Sequence, residues 1–103
     1  MKSCITCGMP FVGAHENDIG LETSEGAVCI HDVKDGVVKS AEAIFEGGVQ
    51  FFMHAVTNGD RGLAERLTRK NMKHLAHWQA NPFALLDGAE ATNEEFGAAM
   101  AKL

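Results

Sequence analysis

The chain has 103 residues, 46% of them hydrophobic, which is enough for one small domain with a modest core. Its formal net charge of −5 provides no overall attraction to nucleic acid phosphates or to anionic membranes, so neither is an expected partner. No apolar run approaches the roughly 20 residues of a membrane helix and no signal peptide pattern is present, so we expect a cytoplasmic protein.

The first 39 residues contain only short apolar runs between glycines and acidic residues. The run "GAVCI", which begins at Gly26, is the best strand candidate, and Asp35 with Gly36 is a turn signal. Because this part has too few apolar residues to form a core alone, we predict a small β element over residues 1–39 that packs on the rest of the chain.

A first helix is predicted to begin after Ser40, a candidate N-cap. Its apolar arc is wide enough to contact more than one neighbour, either within one chain or between two copies in a homo-oligomer. Gly48 lies on this arc and predicts a close approach of another segment, whereas nothing in the pattern explains Gly47.

A second helix is predicted from Asp60, its N-cap, to about Gln79, before Asn81 and Pro82 end it. One face of this helix is apolar and closes on Trp78. The other face is basic, and its cations are Arg66, Arg69, Lys70 and Lys73. A basic face on an acidic protein is most often solvated, but it is also the candidate surface for a protein partner or, as an alternative, for RNA or DNA.

Thr92 and Glu95 predict a capping box at the start of a short terminal helix. Phe96, Met100 and Leu103 would form its apolar stripe. The predicted fold class is therefore α+β, with the β element of residues 1–39 packed on a helical hairpin and a terminal helix in residues 40–103, as one compact unit.

Three cysteines, an odd number in a reducing compartment, indicate metal binding or thiol chemistry rather than a disulfide framework. Cys4 and Cys7 have the spacing of a zinc knuckle, and Gly8 suits the positive φ that turns backbone N–H groups towards the sulfurs. Zinc ribbons place a second such pair roughly 15–20 residues further on, and Cys29 lies just past that range.

The fourth ligand is not a cysteine. Asp32 stands at the spacing where a cysteine would be expected, and His31 stands one residue earlier but is chemically the better zinc ligand. We favour Asp32, keep His31 as the alternative, and predict Zn²⁺ as the cofactor.

Two other interpretations of the cysteines stay open. A redox Cys-x-x-Cys pair normally precedes a helix, and here Cys7 is followed by "GMPF"; a thiol redox or metal-handling protein that uses Cys4, Cys7 and Cys29 is nevertheless the alternative function. The three thiols could also be buried without metal. No Ser-His-Asp or Cys-His order and no Gly-rich phosphate loop is present, so we predict no catalytic residues and no enzyme activity.

The runs "CITCGMPF" and "CIHDVKDG", with the helical runs "AEAIFEGGVQFFMHAV" and "LAERLTRKNMKHLAHW", resemble the putative zinc ribbon domain proteins of bacteria and archaea over about residues 2–79. The resemblance implies a zinc ribbon followed by a helical hairpin, with Cys4, Cys7 and Cys29 as ligands and Asp32 in the place of the fourth. It implies no particular activity. We therefore predict a non-catalytic module in which structural zinc stabilises a small protein-interaction domain.

Overall fold

In the computed structural model, which describes residues 2–103, short strands precede a set of helices, and this confirms the predicted α+β class. No helix within these residues is long and apolar enough to cross a membrane. The strands and helices are β1 (Ile19–Thr23), β2 (Gly26–Cys29), β3 (Val33–Lys34), β4 (Val37–Val38), α1 (Ala41–Ala55), α2 (Arg61–Lys73), α3 (Ala76–Ala80) and α4 (Asn93–Ala101).

The strands form two antiparallel pairs, β1 with β2 and β3 with β4. The predicted strand at "GAVCI" is confirmed as β2. Asp35 and Gly36 join β3 to β4 with φ values of 54° and 76°. Two successive positive φ angles match the right-handed twist of a hairpin with a two-residue turn, so the predicted turn is also confirmed.

Helices α1 and α2 begin where side-chain capping chemistry predicts. The Ser40 hydroxyl accepts a hydrogen bond from the backbone N–H of Ala43 at 3.1 Å, and the Asp60 carboxylate accepts one from Leu63 N–H at the same distance. Each bond satisfies a backbone donor that has no partner inside its own helix.

Helices α1 and α2 pack closely at Gly48. A Cβ atom added there would lie 2.9 Å from Cγ2 of Thr68, which is buried on α2. The predicted close approach at Gly48 is therefore confirmed. Gly47 is exposed, and apart from its chain neighbours and the backbone of its own helix no described residue lies within 4 Å of a Cβ added there.

The second helix is shorter than predicted. It ends at Lys73, and Leu75 adopts an extended conformation (φ −86°, ψ 134°) before α3 begins. No proline or glycine marks this break. Its physical reason is tertiary, because the break lets Leu75 approach Gly8 and lets Trp78 reach the backbone of Thr6.

The terminal helix has the predicted capping box, in which Thr92 and Glu95 each accept the other's backbone N–H. Its apolar stripe differs from the prediction. Ala99 is the buried residue and Phe96 is half-buried, whereas Met100 and Leu103 are exposed. The short helix lies with its Ala99 side on the core, so its larger apolar side chains are left at the surface.

Two hydrophobic clusters form the interior, and Val38 packs against both. The helical core is built by α1–α4 and the segment between α3 and α4. We call residues 2–39 the ribbon, and its buried core has only five members: Cys4, Phe11, Ala27, Val28 and Cys29. Two of these five are cysteines, so the interior of the ribbon and its candidate metal centre are the same place.

Candidate metal centre

Cys4 and Cys7 lie on a tight turn at the N-terminus, the knuckle (residues 4–8). The backbone N–H of Gly8 donates to the carbonyl of Cys4, and the N–H of Cys4 donates to the carbonyl of Met9, both at 2.8 Å. Gly8 has φ +81°, the left-handed conformation that a side chain disfavours. Gly8 therefore closes the turn in the way that the sequence predicts, and both thiols lie against Cys29 at the end of β2.

The second half of the site follows the end of β2. Cys29 is the last residue of that strand, and a single 3₁₀ turn, Ile30–Asp32, comes directly after it. In a 3₁₀ turn, side chains three residues apart eclipse one another, so Asp32 returns to the side of Cys29. His31 is rotated away and its side chain is exposed, whereas Asp32 is only 7% exposed.

One ligand atom from each of Cys4, Cys7, Cys29 and Asp32 lies within 4.8 Å of the other three. The Cys7 and Cys29 sulfurs are 3.7 Å apart, and the Cys4 sulfur is 3.7 Å from Asp32 Oδ2. Tetrahedral zinc with a Zn–S distance of about 2.3 Å requires about 3.8 Å between two sulfurs and about 3.6 Å between a sulfur and an oxygen. Both pairs thus stand at the edge lengths of a zinc tetrahedron.

The electrostatics of the cluster also favour a cation. The neighbouring Cys29 and Cys7 thiols lower the pKa of Cys4 because they stabilise its thiolate. The same interaction with Cys4 raises the pKa of Cys29 to about 11. The pKa of Cys7 is raised by Cys29 and Cys4, and burial raises the pKa of Asp32. One group ionises at the expense of its neighbours, and a divalent cation would let all four be deprotonated together.

Buried polar contacts surround the ligands. The Thr6 hydroxyl donates to Asp32 Oδ2 at 2.6 Å, and the backbone N–H of Cys29 donates to the Cys4 sulfur at 3.3 Å. From the helices, the Trp78 indole N–H donates to the carbonyl of Thr6 at 2.9 Å. Asn71 of α2 adds a half-buried amide bond to the carbonyl of Cys7, also at 2.9 Å. The knuckle is thus held by a hydrogen bond to Asp32 within the ribbon and by hydrogen bonds from Asn71 and Trp78 of the helices.

The sequence pattern does not indicate Thr6, Asn71 and Trp78 as residues of the site. Trp78 is visible in the sequence only as an apolar position of the second helix, and Asn71 carries no signal. Thr6 does carry a weak one, because it is the polar residue between two candidate ligands. A buried hydroxyl at that place has few neighbours other than the ligands themselves.

The candidate partner surface on α2 lies against the C-terminal segment (residues 81–103). Arg66, Arg69 and Lys73 are all engaged there, while Lys70 makes no ion pair with any described residue. The contacts are Arg66 to Glu95 at 3.1 Å, Lys73 to Glu90 at 3.0 Å, and Arg69 to the carbonyls of Leu85 at 2.9 Å and Ala89 at 3.3 Å. A role of this face towards another molecule stays a prediction.

The knuckle and the turn after β2 bring three thiols and a carboxylate together, and the paired helices α1 and α2 follow in the chain. This arrangement defines a metal-binding module of the zinc ribbon class. The chain belongs to the family described as "Putative zinc ribbon domain", whose model matches residues 3–79. This match confirms the resemblance noted in the sequence. No curated protein and no solved structure matches the chain.

Proposed function

We propose that the protein is a non-catalytic module in which one structural Zn²⁺, held by Cys4, Cys7, Cys29 and Asp32, stabilises a small protein-interaction domain. The observation that carries this proposal is the set of four donors at zinc-like separations in the interior of the ribbon. Zinc is favoured over harder cations because three of the four donors are thiols.

The size of the ribbon core supports a structural role for the metal. Five buried residues provide little hydrophobic stabilisation for a segment of this length. Structural zinc contributes on the order of 10 kcal/mol of apparent binding free energy, which is available for folding. The metal would thus replace much of the core that the ribbon lacks.

The charge of the loaded site also fits a closed structural centre. Three thiolates and one carboxylate around Zn²⁺ sum to −2. The backbone N–H of Cys29 and the hydroxyl of Thr6 point donors at this charge, at 3.3 Å and 2.6 Å. With four protein donors, the site has no position for a substrate water, in contrast to catalytic zinc sites with three protein ligands.

The partner in this proposal is a protein. The ribbon exposes the apolar side chains Val12, Ile30 and Val37, which are 47%, 47% and 66% accessible. Apolar surface of this kind favours a protein partner over nucleic acid, as does the net charge of −5.

A second candidate function, thiol redox or metal handling, is favoured by the half-buried state of Cys7, whose sulfur lies 3.7 Å from that of Cys29. Native mass spectrometry separates the two candidates. Protein from zinc-supplemented medium is expected to retain one zinc per chain, with thiols that react slowly until a chelator is added.

Hydrogen exchange is the second measurement. Chelation is expected to remove protection from β1 and β2 while α1 and α2 keep much of theirs, because their core is separate. Protein that carries no metal, reacts promptly at Cys7 and exchanges identically with and without chelator would contradict the structural-zinc proposal and support the thiol alternative.

A further inference from the structure

Thr6 stands between the two halves of the metal centre. It is the residue before Cys7, its side chain is fully buried, and its hydroxyl oxygen lies 2.6 Å from Asp32 Oδ2 and 3.1 Å from the Cys4 sulfur. No other residue outside the ligand set places a side-chain polar atom against two of the ligands within residues 2–103.

The hydrogen-bonding capacity of a hydroxyl determines which of the two ligands accepts the proton of Thr6. A threonine hydroxyl carries a single proton, so it can donate to one acceptor at a time. The 2.6 Å contact to the carboxylate is the short, charge-assisted one, so the Thr6 hydroxyl donates its proton there. In the 3.1 Å contact to the Cys4 sulfur, the hydroxyl oxygen then presents a lone pair. When Cys4 is a thiolate it has no proton to give to Asp32, and Thr6 becomes the carboxylate's only side-chain donor in the described structure.

The backbone of Thr6 is itself fixed. Its carbonyl accepts the indole N–H of Trp78, and its β-branched side chain is confined in a buried site. The position of the hydroxyl is therefore fixed, and its hydrogen bond fixes the orientation of the Asp32 carboxylate. A flexible carboxylate loses torsional freedom when it binds a metal, and a pre-formed hydrogen bond reduces that loss.

We propose that Thr6 is the positioning residue for Asp32, and that the pair Thr6–Asp32 replaces the fourth cysteine as a unit. This inference rests on the proposed zinc site. It predicts that the hydroxyl of Thr6 matters only while the fourth ligand is a carboxylate, because a thiolate at position 32 needs no donor to orient it.

The test combines two substitutions in the full-length protein. Thr6→Val removes the hydroxyl and keeps the shape of the side chain, whereas Thr6→Ser keeps the hydroxyl. Each is made with Asp32 present and in an Asp32→Cys background. Zinc affinity is measured by competition with a chromophoric chelator, and the ligand field is monitored by the visible bands of the Co²⁺-loaded protein.

With Asp32 present, Thr6→Val is expected to lower zinc affinity about 10- to 100-fold and to shift the Co²⁺ bands, while Thr6→Ser stays within about threefold of wild type. In the Asp32→Cys background, Thr6→Val is expected to change affinity by less than about threefold and to leave the bands in place. The rescue by serine and the band positions separate positioning from a loss of packing.

Equal losses of affinity in both backgrounds would overturn the inference, because Thr6 would then serve Cys4 or the fold of the knuckle. Unchanged affinity of Thr6→Val with Asp32 present would overturn it as well, while leaving the zinc site intact. If the wild-type protein binds no zinc at all, the proposed function itself fails, so the two failures are distinguishable.

Discussion

The bond between Trp78 and the knuckle predicts that the helices control the metal site. In Trp78→Phe the ring stays aromatic but the indole N–H is lost, and the buried carbonyl of Thr6 is left without that donor. An unsatisfied buried acceptor costs about 1–3 kcal/mol. For a domain of this size, such a loss lowers the thermal midpoint by about 5–20 °C.

The same substitution should also weaken zinc binding, since the Thr6 carbonyl belongs to the turn that presents Cys4 and Cys7. We expect a decrease of about tenfold, the lower end of the range for groups that support metal ligands. The assay is thermal unfolding of the zinc-loaded protein together with chelator competition on the folded protein.

Phe83→Leu is the matched control. Phe83 packs against Trp78, with ring centroids 5.1 Å apart, but it packs against the helical core and is not among the hydrophobic residues packed against the ribbon core. It should lower stability without changing zinc affinity. A Trp78→Phe protein with wild-type zinc affinity and wild-type midpoint would refute the coupling between helices and ribbon.

Four further outcomes are expected. Gly47→Ala should raise the free energy of unfolding by about 0.5–1 kcal/mol, since it adds a helix-favouring side chain where no described residue lies within 4 Å. Gly48→Ala should lower it by about 1–3 kcal/mol, because the added Cβ meets a buried side chain at 2.9 Å; chemical denaturation of both proteins checks the pair, and the opposite order would contradict the packing of α1 on α2. Asp32→Ala should reduce zinc affinity far more than His31→Ala, since only the first is inside the cluster; competition titration decides, and a larger effect at His31 would move the fourth ligand there. Zinc affinity should rise with pH, by about 100-fold per pH unit near neutrality, because the metal displaces one proton from each of the two thiols with a raised pKa, Cys7 and Cys29, the latter with a pKa of about 11; an affinity that does not vary between pH 6 and pH 8 would show that the thiols are not the ligands.

The starts of α1, α2 and α4 were predictable because N-terminal capping is local. Ser40, Asp60 and the pair Thr92 and Glu95 each act on a backbone group three residues away, so sequence spacing contains all the information needed. The turn at Asp35 and Gly36 was predictable for the same reason.

The break between α2 and α3 was not predictable from local pattern. Residues 74 and 75 have no helix-breaking side chain, and the gain that favours the break comes from contacts with Gly8 and Thr6, which lie more than 60 positions earlier in the chain. The hydrogen bonds of Asn71 and Trp78 to the knuckle were not predictable for the same reason, since they also join residues far apart in the sequence.

The candidate site also has a part that was predictable from sequence spacing and a part that was not. The spacing of the cysteines and the interval of three from Cys29 to Asp32 lead to the cluster that the structure contains, since a 3₁₀ turn brings residues at that interval together. The contacts of Arg66 and Arg69 with the C-terminal segment depend on how that segment packs across α2. The spacing of residues in the sequence does not predict this packing.

X-ray absorption at the zinc edge of the purified protein tests whether three thiolates and the carboxylate of Asp32 hold zinc. We predict three sulfurs at about 2.3 Å and one oxygen at about 2.0–2.2 Å, without the outer-shell scattering of an imidazole, and loss of that oxygen ligand in Asp32→Ala. A zinc shell with fewer than three sulfurs, or with imidazole scattering that persists in Asp32→Ala, would rule out this set of four ligands.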